Sequence, residues 1–383
     1  MADHVLIGLA GDILIDRANP DEVFAELDGV LHAPDIMFAN LECAYSNIPR
    51  PPLGAPLVVG SAAHNLSAVA KAGFKVVAMA TNHMMDFGAA AMLETRDKLR
   101  AAGVQTCGAG ASDAEARAPA LINAQGLRIA FLGYASVFPF GYEAGEASPG
   151  IAPVRSYNFW REQFPGYYLP GTAPRLTSVP DEDDFAKLRS DIERARGVAD
   201  LVVASFHWGD FGRPFHLTDH EKHTARFCID HGADLVVGHH HHCLRGMEWY
   251  KGKPVLYGLG HLVADIRTTI PEAALQDFYA EGGADASYRM GPREGWPLLP
   301  LHKDSRMTLV AWARGDARGF AEIGFLPCQL TPEGVVAPLS LASEEGLAVL
   351  SYMDTAMKSQ KLAGTITRDG LELAGYQTAR IVT

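Results

Sequence analysis

Long apolar runs are missing from this chain: nothing in its 383 residues approaches the roughly 18 consecutive apolar residues of a membrane-spanning helix, so no membrane partner is expected. Positive charge is scarce as well. Thirty-three Lys and Arg against 45 Asp and Glu leave a net charge of −12, with no basic cluster as a local exception, which argues against a nucleic-acid surface. Cysteine is sparse and unpatterned: Cys43, Cys107, Cys228, Cys243 and Cys328 show no CxxC spacing, and an odd number speaks against a disulfide framework. The opening apolar run lacks a basic leader and contains Asp12, which the reading below needs, so no signal peptide is expected and the protein is read as cytoplasmic. No internal repeat is visible.

What the chain does have is histidine in one place. Val236-Val237-Gly238 runs into His239-His240-His241-His242, four imidazoles directly after an apolar, strand-like stretch. A purification tag sits at a terminus and a low-complexity tract sits in polar sequence, whereas this cluster sits where an α/β sheet presents its functional loops. Other strand-like runs end in the same way. One leads into Asp12, another into Asn40-Leu41-Glu42, a third into Asn82-His83, and Leu201 to Phe206 leads into His207-Trp208-Gly209. An aligned sheet would bring these oxygen and imidazole donors along one edge, a mixture that suits Mn, Fe or Zn better than calcium. Taken singly, Asp12 reads equally well as a turn or helix cap, Asn82 as a turn former and His83 as a core histidine; the ordered set favours metal.

Between these strands run helical stretches at 62–72 and 89–102, giving a βαβ rhythm up to about residue 135, and helical sequence resumes at 181–196 and 218–231. Strands are expected again at 254–260, 305–312 and 319–326. The rhythm breaks in two aromatic, Gly- and Pro-rich segments, 136–180 and 266–300, which are expected to be irregular and to pack as caps over the site. His4, His32, His64, His216, His220, His223 and His231 are expected on surfaces or helices, without a functional role.

In order, Gly11-Asp12, Asn40-Leu41-Glu42, Asn82-His83 with Asp86, His207-Trp208-Gly209, Gly238 with the four histidines, and Tyr257-Gly258-Leu259-Gly260 resemble the CapA branch of the calcineurin-like metallophosphoesterases, named for poly-gamma-glutamate capsule synthesis. The resemblance spans residue 5 to about 265. It implies a four-layer α/β/β/α sandwich, here one domain over 1–383 with the two insertions, and a centre of two divalent metal ions. By the same resemblance Asp12, Glu42, Asn82, His207, His239 and His241 would be metal ligands, and His83 the acid or electrostatic stabiliser. Asp86 would orient His83 or cap a turn. The chain departs from the pattern at three points. Leu14 stands where Asp-x-His places a histidine, His241 replaces a proline so that His240 and His242 compete with His239 and His241 as ligands, and His261 replaces an asparagine.

Three functions follow from such a centre. The first is hydrolysis of a phosphoester or amide-like bond. The second is epimerisation or racemisation at a Cα of a peptide or amino-acid derivative, with Asp12 and His302 exchanging the proton and Arg306 clamping an anionic group. The third is a non-enzymatic accessory role in polymer synthesis. In each enzymatic case the expected substrate is a small molecule or peptide-like group with an anionic end; the oligomeric state is left open.

Overall fold

The computed structural model of the chain describes residues 4–49, 58–266, 290, 291 and 293–383. Two β-sheets lie face to face. The larger runs in the order Thr365–Thr367, Ala379–Val382, Gly319–Leu330, Met307–Asp316, Val5–Leu14, Ile36–Leu41, Phe74–Ala78, Gln105–Cys107, with His261–Ala264 joined in parallel to the end of Val5–Leu14. The smaller runs Met247–Tyr250, Lys253–Leu256, Leu235–His239, Leu201–His207, Leu127–Ala135, Ala120–Ala124.

The central strands are buried on both faces, which is why they read as near-continuous Val, Ile, Leu and Ala rather than as alternation. Between the sheets Phe38 stacks on Phe131 with ring centroids 5.6 Å apart. Outside the larger sheet, Leu66, Val69, Met92 and Leu99 from the helices Leu66–Lys71 and Gly88–Ala101 pack on Met37 and Val77. On the smaller sheet the cover is Phe185, Leu188 and Ile192 of Glu182–Arg196 with Ala225, Cys228 and Ile229 of Asp219–Asp230. The layers are therefore α/β/β/α, the metallophosphoesterase-like class that the motif order implies.

The helical stretch at 62–72 begins as a 3-10 turn, Ala63–Asn65, before the helix Leu66–Lys71. A larger departure lies in 136–180. Part of that segment is regular: Ser156–Arg161 and Arg175–Pro180 pair antiparallel as a two-stranded ribbon. Its rings were expected to be packed, but Tyr157, Phe159, Trp160, Tyr167 and Tyr168 are exposed. Prolines, glycines and rings on both faces hide the period-2 pattern that normally reveals a strand. Of the second insertion, 267–289 and 292 lie outside the described residues. The C-terminal helix Glu344–Gln360, which sequence patterning missed, joins the main core through Val349, Met353 and Met357.

Candidate metal centre

The site sits where the carboxyl ends of parallel strands from both sheets converge. Register fixes the neighbours: Asp12 lies opposite Asn40 on one side and opposite His261 on the other, while His207 lies opposite His239. Glycine makes the close approach possible. A Cβ at position 11 would meet the carbonyl carbon of Gly260 at 2.8 Å and the Leu259 oxygen at 3.1 Å, so only glycine lets the 259–261 segment come beside Asp12.

Two groups of donor atoms result, each gathered within 4.8 Å: Asp12 with His242 and His261, and Asp12 with Glu42 and His207. Asp12 belongs to both. Around it, His239 Nδ1 is 3.4 Å from Oδ1, His242 Nδ1 is 3.8 Å from Oδ2, and the His240 backbone N–H donates to Oδ2 at 3.3 Å. His207 Nε2 lies 2.7 Å from Asn82 Oδ1, 3.1 Å from His240 Nδ1 and 3.8 Å from Glu42 Oε1. The rings of His242 and His261 stack in parallel at 4.5 Å.

The chemistry of these atoms fits a metal. Buried polar groups nearly always find hydrogen bonds, yet here Glu42 Oε1, His242 Nδ1, both ring nitrogens of His239 and both of His261 have none among the described residues. The electrostatics agree. Burial, reinforced by neighbouring histidines, pushes the His207 and His242 imidazoles well below their ordinary range and His240 to about 3; burial alone takes His261 to about 4. All four are thus neutral, the form that ligates. Burial by itself would raise the Asp12 carboxyl, but the approach of His239 Nδ1 holds it below the usual carboxylate range. Glu42 goes the other way, raised by burial and by the Asp12 and Asp86 charges. Two carboxylates crowded in a dry site without compensating cations oppose each other's ionisation.

Beside this cluster His83 donates through Nδ1 to Asp86 Oδ2 at 2.8 Å, so that Nε2 is not used by that bond. Asp86 is itself held, accepting from the Val59 backbone at 2.7 Å and from the Tyr142 hydroxyl at 2.9 Å. The structure thus brings Asp86 and His83 together.

Not every expected residue joins. His241 is turned away: its Nε2 meets Glu221 Oε1 at 2.7 Å, on the helix side, because the backbone reverses at the left-handed His240 and His242. The expectation of His241 as a ligand is corrected accordingly, and His242 takes the place beside Asp12. His302 caps the short turn Lys303–Arg306, its Nδ1 accepting from the Asp304 N–H at 3.2 Å, and it belongs to neither donor group. The Arg306 guanidinium lies 4.0 Å over the Trp296 ring. Two contributors went unassigned in the sequence. Asn40 Nδ2 donates to Asp12 Oδ1 at 2.8 Å and approaches Glu42 and His207 at 3.4 Å; its place in the Asn40-Leu41-Glu42 motif was the available signal. Tyr142, inside an insertion, had none.

The family description "Bacterial capsule synthesis protein PGA_cap" matches residues 6–266. Among curated proteins, the uncharacterized protein y4sH of Sinorhizobium fredii is 30% identical over 388 residues, covering 86% of this chain and 83% of that protein. The capsule biosynthesis protein CapA of Bacillus anthracis is 27% identical, covering 78% of this chain and 68% of its own. A probable polyglutamine synthesis accessory protein of Mycobacterium tuberculosis is 32% identical over 195 residues, which is 50% of this chain and 45% of that protein.

Proposed function

Because the chain belongs to the PGA_cap family of bacterial capsule synthesis proteins, we propose that it is a metal-dependent hydrolase of a phosphoester or amide-like bond, built on a two-ion centre. The observation that carries this reading is the pair of donor groups sharing Asp12. A carboxylate common to two groups is what a two-ion site requires, and such a site lowers the pKa of bound water and polarises the scissile group.

The chain's own residues supply the rest. Asp12, His242 and His261 would hold one ion; Asp12, Glu42 and His207, joined by Asn82, would hold the other. Asn40 holds the Asp12 carboxylate through its Oδ1. Tyr142 and the Val59 N–H hold Asp86, Asp86 holds His83 by Nδ1, and Nε2 is then placed to pass a proton to a leaving group. The cytoplasmic location belongs to the same proposal: all five cysteines are free and buried, as suits a reducing compartment. No helix among the described residues is long and apolar enough to cross a membrane.

Cα proton exchange between Asp12 and His302 draws less support. Asp12 is engaged on both oxygens, and His302 Nδ1 is committed to its own turn. The test is elemental analysis of purified protein, followed by assays of phosphate release, amine release and Cα deuterium uptake with phosphoesters, acylated amino acids and peptides. Two metal equivalents with phosphate or amine release support the proposal. Deuterium uptake alone would establish the epimerase instead, and metal with no turnover on any substrate would favour an accessory role, the one printed in the mycobacterial relative's name.

A further inference from the structure

The histidine run contains a conformational cost that the metal centre alone does not explain. His240 has φ +92° and His242 φ +57°, a left-handed region that non-glycine residues occupy at a cost and keep only where the surroundings enforce it. Between them His241 points the opposite way, into a buried bond with Glu221. Both partners are almost wholly buried.

Glu221 is fixed from its other side. It is the third residue of the helix Asp219–Asp230 and completes a capping box, with Oε2 accepting from the Thr218 N–H at 2.6 Å and hydroxyl at 2.7 Å. The chain also makes room for the contact. At Gly209, φ +90°, a Cβ would lie 2.9 Å from the Glu221 carboxylate, so only glycine lets the loop after His207 cross over the Glu221–His241 bond.

We propose that Glu221, acting through His241, is a positioning residue for the metal centre: it pins the middle of the histidine run to the outer helix and so holds His240 and His242 in the strained turns that aim their rings at His207 and Asp12. The inference rests on the metal-centre reading above for its consequence, and on geometry alone for the pin itself. It also gives His241, the third histidine of the run, a role as an anchor rather than a ligand. The geometry needed is one anchor between two left-handed residues, and both Glu221 and His241 are committed to it.

The capping role of Glu221 supplies the control. Thr218→Ala removes the hydroxyl half of the cap and leaves the Glu221–His241 bond together with the residue-218 N–H that donates to Glu221 Oε2; His241→Ala removes the bond and leaves the cap; Glu221→Ala removes the bond and the carboxylate half of the cap. Co(II) titration of the purified protein, read by its visible spectrum, measures ligand geometry without any turnover. Amide hydrogen exchange across 238–243 in chelator-treated protein measures the pin without any metal.

Glu221→Ala and His241→Ala should each bind Co(II) about 10- to 100-fold more weakly, the usual range for groups that orient ligands, with an altered spectrum and faster exchange at 238–243. Thr218→Ala should match the wild type in both readouts. The proposal is overturned if Glu221→Ala behaves as wild type, if Thr218→Ala shows the same losses, or if His241→Ala loses a full metal equivalent, which would make it a ligand. Should the wild type take up no metal, the hydrolase reading fails, while the exchange pattern still decides whether the pin exists.

Discussion

Replacing His261 by methionine should reverse the stability ranking of the protein according to whether metal is present. His261 is wholly buried, and both ring nitrogens lack hydrogen bonds among the described residues. A neutral imidazole carries one donor and one acceptor, and leaving such a group buried and unsatisfied costs about 1 to 3 kcal/mol. Methionine removes that penalty, against a repacking cost usually below about 1.5 kcal/mol for a side chain of similar volume. In chelator, His261→Met should therefore be about 1 to 2 kcal/mol more stable than the wild type and melt a few degrees higher. With divalent metal at 100 times its dissociation constant the wild type gains about 2.7 kcal/mol, and the variant forfeits most of this because one donor group loses a ligand. Thermal denaturation of both proteins with chelator and with Mn(II) or Zn(II) reads all four values. If His261→Met melts lower than the wild type in chelator, or keeps the full metal-induced rise, the ring is an ordinary core histidine and the donor group containing it is wrong.

Asp86→Ala should slow turnover about 10- to 100-fold at unchanged metal content, because His83 loses its orienting partner while the donor groups keep theirs; equal rates in the two proteins would remove His83 from the chemistry. His302→Ala should cost about 1 kcal/mol, the price of a lost cap, and leave metal content and hydrolysis intact; a collapse of turnover would restore it as an acid or base. His220 bridges Ser136 and Ser156 at the base of the exposed ribbon at 2.8 and 2.7 Å, and burial, partly offset by Glu221, holds its pKa at about 4. Its folded pKa is below the unfolded value of about 6.5, so the stability it supports is complete above pH 6.5 and is lost as pH falls toward 4, at up to about 1.4 kcal/mol per unit. His220→Gln should flatten that slope in acid denaturation, and an unchanged slope would assign the acid sensitivity to other groups.

Much of the sandwich is legible because its central strands are buried on both faces and announce themselves by composition. Runs such as Leu201 to Phe206 and Ile36 to Ala39 appear as strands within a residue or two of their observed ends. The helices Gly88–Ala101 and Glu182–Arg196 follow their stop and cap signals closely. What escaped did so for two reasons: the ribbon lacks a clear period, whereas the last helix has one, with a Ser343 cap and buried Val349, Leu350, Met353, Ala356 and Met357 at helical spacing, and it went unread. The ribbon 156–180 presents rings on both faces, and the helix Glu344–Gln360 lies among C-terminal strands that carry no motif.

The candidate site was legible wherever a donor ends its own strand, as Asp12, Glu42, His207 and His239 do. His261 was legible as a further imidazole near the site, in the place of an asparagine, but its adjacency to Asp12 was not, because it comes from pairing across the chain. Asp12 and His261 are register partners separated by nearly the whole length of the larger motif set, and no local spacing encodes that. Glu221 was hidden for a different reason: as the third residue after Thr218 it satisfies a capping box, so its sequence context is fully explained before His241 enters.

The same distinction explains why Leu14 stands where a histidine was expected. In a regular strand residues 12 and 14 would face the same side, but pairing with His261–Ala264 shifts register between Asp12 and Ile13. The irregularity lets Asp12 face the donor atoms while Leu14 packs with Leu41 and Val77 in the apolar cluster outside the sheet. A histidine at 14 would thus point into hydrocarbon, and the position beside Asp12 is filled from the adjacent strand by His261. Leu14→His should accordingly cost at least about 2 kcal/mol, from lost apolar burial and an unsatisfied imidazole, and add no metal. The decisive comparison is the double variant. If Leu14→His restores metal binding to His261→Met, then position 14 does reach the centre, and the exchange of one ligand strand for another argued here is false.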